Sequence, residues 1–195
     1  MEEEKLIKET LLLAETRSGR DEMNLAEYPF TILSKKPVKD LKTLEYSDWI
    51  TINGEPRQLK WTITGSDAFG LPIGGDQDIY VAIMETWRES GFKDRIIPIR
   101  SIYSMLKKLG LPHDKQNYER FKSALDRLTT VSIIAENAFW DSSNQSYLSR
   151  RVFHIFDDYH LIERAKKNDN ETPIPFGYIR ANEFFYQSVK HGNIK

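Results

Sequence analysis

Residues 95–134 read RIIPIRSIYSMLKKLGLPHDKQNYERFKSALDRLTTVSII, and with the run that follows as far as Tyr159 they decide the fold. The β-branched segment Arg95-Ile-Ile-Pro-Ile-Arg100 predicts a short strand. Ser101 then caps a helix in which Ile102, Met105, Leu106 and Leu109 fall at helical spacing, and Gly110 and Pro112 stop it. A second helix is expected from about Lys115 to Thr130, because Tyr118, Phe121, Leu125 and Leu128 recur every three or four residues. Two strand-like runs follow, Val131 to Trp140 and Leu148 to Tyr159, joined by Asp141-Ser-Ser-Asn-Gln145, whose residues favour turns.

Strand, helix, turn, helix, strand, turn, strand is the order of a winged helix-turn-helix, with residues 141–145 as the tip of its wing. Such a domain offers the outer face of its second helix to the DNA major groove. Stepping about 100° per residue away from Tyr118 and Leu125 brings Gln116, Glu119, Arg120, Ser123 and Arg127 to that face. Lys107 and Lys108 end the first helix, Lys115 opens the second, and Arg150 and Arg151 lie on the second wing strand. The expected DNA-binding set is therefore Lys107, Lys108, Lys115, Gln116, Arg120, Ser123, Arg127, Arg150 and Arg151. A face of this kind also occurs on helices that only keep a protein soluble, and winged helices also serve as protein-protein modules.

Charge is distributed along the chain in the same sense. The net charge is only -1, but residues 1–30 carry eight acids against four bases, and residues 88–130 carry ten bases against five acids. The positive excess coincides with the helix-turn-helix, where phosphates would need neutralising. With 195 residues, 39% hydrophobic and 12% aromatic, the chain suffices for a buried core. No apolar run approaches the eighteen or so residues that cross a bilayer, and the amino end is acidic where a signal peptide would be basic and then apolar, so the expected location is the cytoplasm. The chain has no cysteine, which excludes disulfides, thiolate catalysis and sulfur-ligated metal sites.

In chain order, Glu2 to Glu15 predicts a short helix within an amino-terminal arm, residues 1–20. Leu25 to Leu33 reads as extended around Pro29. Leu44 to Ile52 and Arg57 to Thr64 alternate apolar and polar residues on either side of Asn53-Gly54, a hairpin signal because this pair accepts positive φ. The glycine-rich connection from Thr64 to Asp76 lacks the Gly-Lys-Ser/Thr ending of a phosphate loop, and Asp76 would repel phosphate, so it reads as the lead into a helix that Asp76 caps. That helix, about Asp76 to Ser90, presents Ile79, Tyr80, Ile83, Met84 and Trp87 to the core and precedes the helix-turn-helix as its first helix. Asn168-Asp-Asn-Glu-Thr-Pro173 is a break. Beyond it Phe176 to Ile179 can pair with a sheet edge, and Asn182 caps a helix containing Phe184, Phe185 and Val189.

No catalytic constellation stands out. His154 and His160 could share a strand face with Asp158, but positions six apart on a strand are separated by too much for shared ligation unless the strand bends. No activated serine, paired catalytic carboxylates or nucleotide motif is present. The chain is expected to be no enzyme and to carry no cofactor or metal.

Five segments carry a family resemblance: Asp21-Glu-Met-Asn-Leu-Ala-Glu-Tyr-Pro29; Leu59 to Pro72, with its Thr62-Ile-Thr-Gly-Ser-Asp67 core and Gly70-Leu-Pro72; Tyr118 to Leu128; Glu136-Asn-Ala-Phe-Trp-Asp141; and Phe153-His-Ile-Phe-Asp157. In order, from about Asp21 to the end, they resemble the plasmid replication initiator protein A family of bacteria. The resemblance implies a plasmid-encoded initiator that binds repeated sites in double-stranded origin DNA and recruits the host helicase and polymerase machinery. It implies two winged-helix domains in related initiators, the amino-terminal one often serving dimerisation. The expectation is thus an α+β winged helix-turn-helix domain with an added amino-terminal β-hairpin and flanking helices: arm 1–20, winged-helix domain 21–167, and linker and start of a second domain 168–195. It should act as a DNA-binding, homodimerising initiator module. The rival expectation is a dimerisation module that does not touch DNA directly.

Overall fold

Asn53 and Gly54 settle the first half of the fold locally. In the computed structural model, which describes residues 23–38, 40–141, 144–162 and 177–191, their φ angles are +53° and +84°. This tight turn joins β1 (Thr43–Ile52) to β2 (Glu55–Thr64) in unbroken antiparallel register, from Thr43 opposite Thr64 to Ile52 opposite Glu55. A Cβ added at Gly54 would meet nothing within 4 Å, so the cost of a side chain there is conformational and not steric. Gly54→Val should therefore lower stability by about 1 kcal/mol or more, read as a lower melting temperature, and an unchanged transition would refute the turn.

Leu44 on β1 and Leu59, Trp61 and Ile63 on β2 are buried, which places one face of the hairpin on the core. The indole of Trp61 donates to the Pro29 carbonyl at 3.1 Å and stacks on Tyr28, with ring centroids 5.0 Å apart. Tyr28 follows a short helix, α1 (Met23–Glu27), where the sequence reads as extended. Asn24 explains the helix: its side-chain carbonyl accepts from Trp140 N at 2.8 Å and its amide donates to the Trp140 carbonyl, tying this turn to a distant strand.

Three helices come next. α2 (Gly74–Glu89) buries Ile79, Tyr80, Ile83, Met84 and Trp87, the residues its spacing predicts. It starts two residues earlier than expected, and the Asp76 carboxylate accepts from Ile73 N at 2.8 Å. After β3 (Ile96–Ile99) comes α3 (Ile102–Lys108), whose cap Ser101 accepts from Ser104 N at 3.0 Å, and then α4 (Lys115–Thr130).

The strands after α4 depart from the simple pair that the alternation suggests. They are β4 (Ser132–Glu136), β5 (Phe139–Asp141), β6 (Ser146–Leu148), β7 (Arg151–Phe153) and β8 (Phe156–Leu161). β4 joins the hairpin, giving a sheet in the order β1–β2–β4–β7. The connection at 141–145 links only the three-residue ladder between β5 and β6. β8 leaves this group and pairs with β9 (Gly177–Ala181), which in turn pairs with β3, so the second sheet runs β3–β9–β8. The expected wing at 141–145 is therefore not the hairpin of the sheet that contains β3. The physical reasons are local: Asn137 takes a φ of +52°, breaking the first run, and Ile155 and Phe156 are both fully buried, breaking strict alternation in the second.

The expected boundary at 168 is corrected too. β9 is the middle strand of the second sheet, and α5 (Glu183–Lys190), capped by Asn182, packs the Phe185 and Tyr186 rings about Trp87 with centroids 6.1 and 5.9 Å away. Arg95, just before β3, donates to the Ala181 carbonyl at 3.0 Å and pairs with Asp157 and Glu183, binding this end into the same body. Residues 177–191 thus complete the domain and do not begin another. The amino-terminal arm 1–20, the break at 168–173 and the last four residues lie outside the described residues.

Candidate nucleic-acid interface

α4 starts where it does because Asp114 accepts from Asn117 N at 2.8 Å, filling one of the donors a helix start leaves open. Phe121, Ala124, Leu125 and Leu128 are fully buried and fix its inward face against α2 and β8. What remains outward is set by that packing.

Arg127 is not outward. It is 7% exposed, and its guanidinium meets the Asp76 carboxylate in two parallel bonds, Nε to Oδ2 at 2.6 Å and Nη2 to Oδ1 at 2.7 Å. Asp76 is 1% exposed. The charge expected to reach DNA is spent inside the fold, because a buried carboxylate at the start of α2 needs a partner and a bidentate arginine supplies one. Arg120, nearer solvent along the same side, also leans on α2, with Nη2 3.5 Å from the Gly75 carbonyl and 3.8 Å from Asp78. It is half-exposed and only partly available.

Lys115, Gln116 and Glu119 are exposed and Ser123 is half-exposed, as the helical angle requires. Lys122, outside the expected set, is exposed too, 3.4 Å from Glu119. A signal for it exists in the sequence: it lies close to one turn from Glu119 and next to Ser123, on the margin of the predicted face. The two acids of this helix are differently placed. Glu119 stays in solvent beside Lys122, whereas Asp126 accepts from the Tyr159 hydroxyl at 2.6 Å. Burial and that bond push the Tyr159 hydroxyl up to about 12, so it remains a donor and keeps Asp126 turned to β8 throughout the physiological range.

Lys107 ends α3 exposed, on the other side of the turn 109–114 from Lys115, and neither forms an ion pair with a described residue. Lys108 is committed to Glu89 at 2.7 Å and Thr86 at 3.1 Å. Arg150 pairs with Glu136, and Arg151 lies over the Phe184 ring, 4.3 Å from its centroid. Both belong to the β4–β7 side of the first sheet. The structure thus leaves Lys107, Lys115, Gln116, Ser123 and, in part, Arg120 open to solvent, and it engages Lys108, Arg127, Arg150 and Arg151 within the chain.

The glycine-rich connection has a structural explanation. A Cβ on Gly65 would sit 2.3 Å from the backbone of Gly70, and Gly70 N donates to the Ser66 carbonyl, so the glycine permits a tight loop to close on itself. The two histidines on the carboxy-terminal side of the chain are apart in role: His154 Nδ1 lies 2.8 Å from the Val131 carbonyl, before β8 begins, and His160 lies beside Tyr178. Among the described residues no group of three His, Asp or Glu side chains is placed to hold a metal ion. Among those residues, too, no helix is long and apolar enough to cross a membrane.

Residues 20–195 match the family Replication initiator protein A. No curated protein matches the sequence. Among solved structures the chain is similar to selenomethionine derivatives of domains 2 and 3 of RctB, with a TM-score of 0.54 at 12% identity over 83% of this chain and 57% of that one. It is also similar to another structure of RctB domains 2–3, with a TM-score of 0.47 at 16% identity over 74% of this chain and 53% of that one. The chain thus spans little more than half the length of these structures, and at such identity the first likeness speaks to the fold alone.

Proposed function

The chain belongs to the Replication initiator protein A family, and from that membership we propose that it binds the double-stranded DNA of a plasmid replication origin and self-associates there. In this reading it recruits host helicase or polymerase proteins and catalyses no reaction itself. α2, β3, α3, α4 and the sheet β3–β9–β8 form a winged helix-turn-helix in which α4 is the recognition helix. The observation that carries the reading is the outward side of α3 and α4. There Lys107 on α3 and Lys115 on α4 face solvent without an acidic partner among the described residues, and α4 also exposes Gln116 and Lys122 and half-exposes Ser123. Lysines bind phosphates, and the amide and hydroxyl supply hydrogen bonds to base edges.

Binding to phosphates releases counterions, so the salt dependence of affinity counts the phosphates neutralised. Replacing Lys115 and Lys122 together by alanine should lower the slope of log K against log salt by about 0.9 for each phosphate no longer neutralised, roughly two in all, in titrations of duplex origin DNA. The fold should be unaffected because neither side chain is buried. An unchanged slope and affinity would remove α4 from the interface. Altered self-association with unaltered DNA binding would favour the rival reading, a protein-interaction module.

A further inference from the structure

We propose that the free edge of β1 is the self-association surface, and that two copies join there by antiparallel pairing of β1 with β1 about a two-fold axis at Trp49. This deepens the self-association part of the proposed function, on which it rests, and does not depend on DNA.

β1 is ten residues long, and β2 covers only one of its edges. Among the described residues, it is the outer strand of its sheet. Its sequence, TLEYSDWITI, has high strand propensity, and of the devices that protect an edge it carries only the charges of Glu45 and Asp48, with no proline, no lysine and no break in its register with β2. The hairpin also projects. β4 pairs with β2 only from Lys60 to Thr64, and Asn137 just beyond it donates to the Gln58 carbonyl, so the distal half from about Trp49 to Arg57 extends past the rest of the sheet. Trp49 on this half is 69% exposed, the largest exposure of any big apolar side chain among the described residues. A tryptophan held out on a rigid strand is a large apolar area in water and a common interface anchor.

Side-chain geometry selects both the partner and the register. A two-fold axis through a continuous sheet sets residues of the same face opposite one another, so the axis must pass through a residue. Centring on Asp48 would oppose the two Asp48 carboxylates, centring on Ser47 would set Glu45 against Trp49, and centring on Ile50 would set Trp49 against Thr51 and so part the two indoles. Centring on Trp49 opposes Trp49 to Trp49, Ser47 to Thr51, Tyr46 to Ile52 and Asp48 to Ile50, with no like charges in register. It also adds an attraction. Within one hairpin Arg57 lies opposite Ile50, and Ile50 would lie opposite the second copy's Asp48. Arg57 and that carboxylate are then two strand spacings apart, about 10 Å between backbones, which an extended arginine reaches across the isoleucine. Symmetry makes the pair twice. A second copy of this chain thus fits its own edge in charge, in aromatic pairing and in backbone hydrogen bonding.

The test is sedimentation of the full chain without DNA at about 1–100 μM, a range suited to one strand pair with a central anchor. The wild type should be a reversible dimer. Trp49→Ser should raise its dissociation constant at least about tenfold, the scale of a central aromatic anchor. Asp48→Arg and Arg57→Asp should each dissociate alone, since each puts like charges together. An equimolar mixture of the two should dimerise again, because each chain then supplies the charge the other lacks. The mixture controls for misfolding, which mixing cannot repair. A monomeric wild type, a Trp49→Ser dimer of wild-type strength, or a mixture no tighter than its components would overturn the proposal. Loss of salt-dependent DNA binding with the dimer intact would instead count against the recognition-helix reading and leave this one standing.

Discussion

Arg127→Ala is expected to lower the unfolding free energy by about 3–5 kcal/mol in urea titrations, the largest effect of any single charged side chain among the described residues. The deletion removes little apolar volume. What it leaves is the Asp76 carboxylate, 1% exposed, without the guanidinium that holds both its oxygens. One of those oxygens also accepts from Ile73 N and so holds the first turn of α2, so the damage reaches the helix on which α4 is mounted. Asp76→Ala alone should also be costly, whereas the double variant should cost clearly less than the two singles added, because the orphaned charge disappears with its partner. A single variant within about 1 kcal/mol of wild type, or additive singles, would mean that the pair does not carry the junction. DNA-binding assays on Arg127 variants would report this defect and not the removal of a base-reading side chain.

Ending the chain at residue 167 is expected to abolish cooperative unfolding altogether. That cut removes β9, the strand that joins β3 to β8, and α5 behind it. With them go Ile179, Phe185, Tyr186 and Val189, all buried. At about 1.5–3 kcal/mol for each large apolar side chain, the effect is comparable to the whole 5–15 kcal/mol of a typical domain, before the exposed edges of β3 and β8 are considered. Far-ultraviolet circular dichroism against temperature would show a broad, shallow change. A sharp transition in the truncated chain would restore the boundary that the sequence suggests.

Where local chemistry decides, sequence and structure agree: Ser101 and Asn182 as caps, Asn53-Gly54 as a turn, and the apolar spacing of α2 and α4. Strand partners are another matter. Alternation in residues 131–159 says that strands exist, but not that β4 belongs with β2 and β8 with β9, because pairing is chosen by tertiary packing. The candidate site divides along the same line. Helical angle puts Gln116, Glu119 and Ser123 outward correctly, and it puts Arg127 outward wrongly because the residue that draws it in, Asp76, is far away in sequence and reads as a simple helix cap. The glycines of 64–76 can be read in sequence as lacking a phosphate motif, but nothing local reveals that Gly65 abuts the Gly70 backbone.

The position of β9 also sets the order of events in time. Ile96 must wait for Arg180, its partner in the ladder, to leave the ribosome before the second sheet can close. At about 5–20 residues per second that is a delay of roughly 4–17 s. During it β1, β2, α2, α3, α4 and β4 are all available to one another, while the apolar side chains Ile97 and Ile99 have no strand to cover them. The hairpin and the helices are therefore the natural early half of folding, and the sheet β3–β9–β8 is the late half, a long loop closure of the kind that slows a domain and leaves its nascent form open to chaperones and proteases.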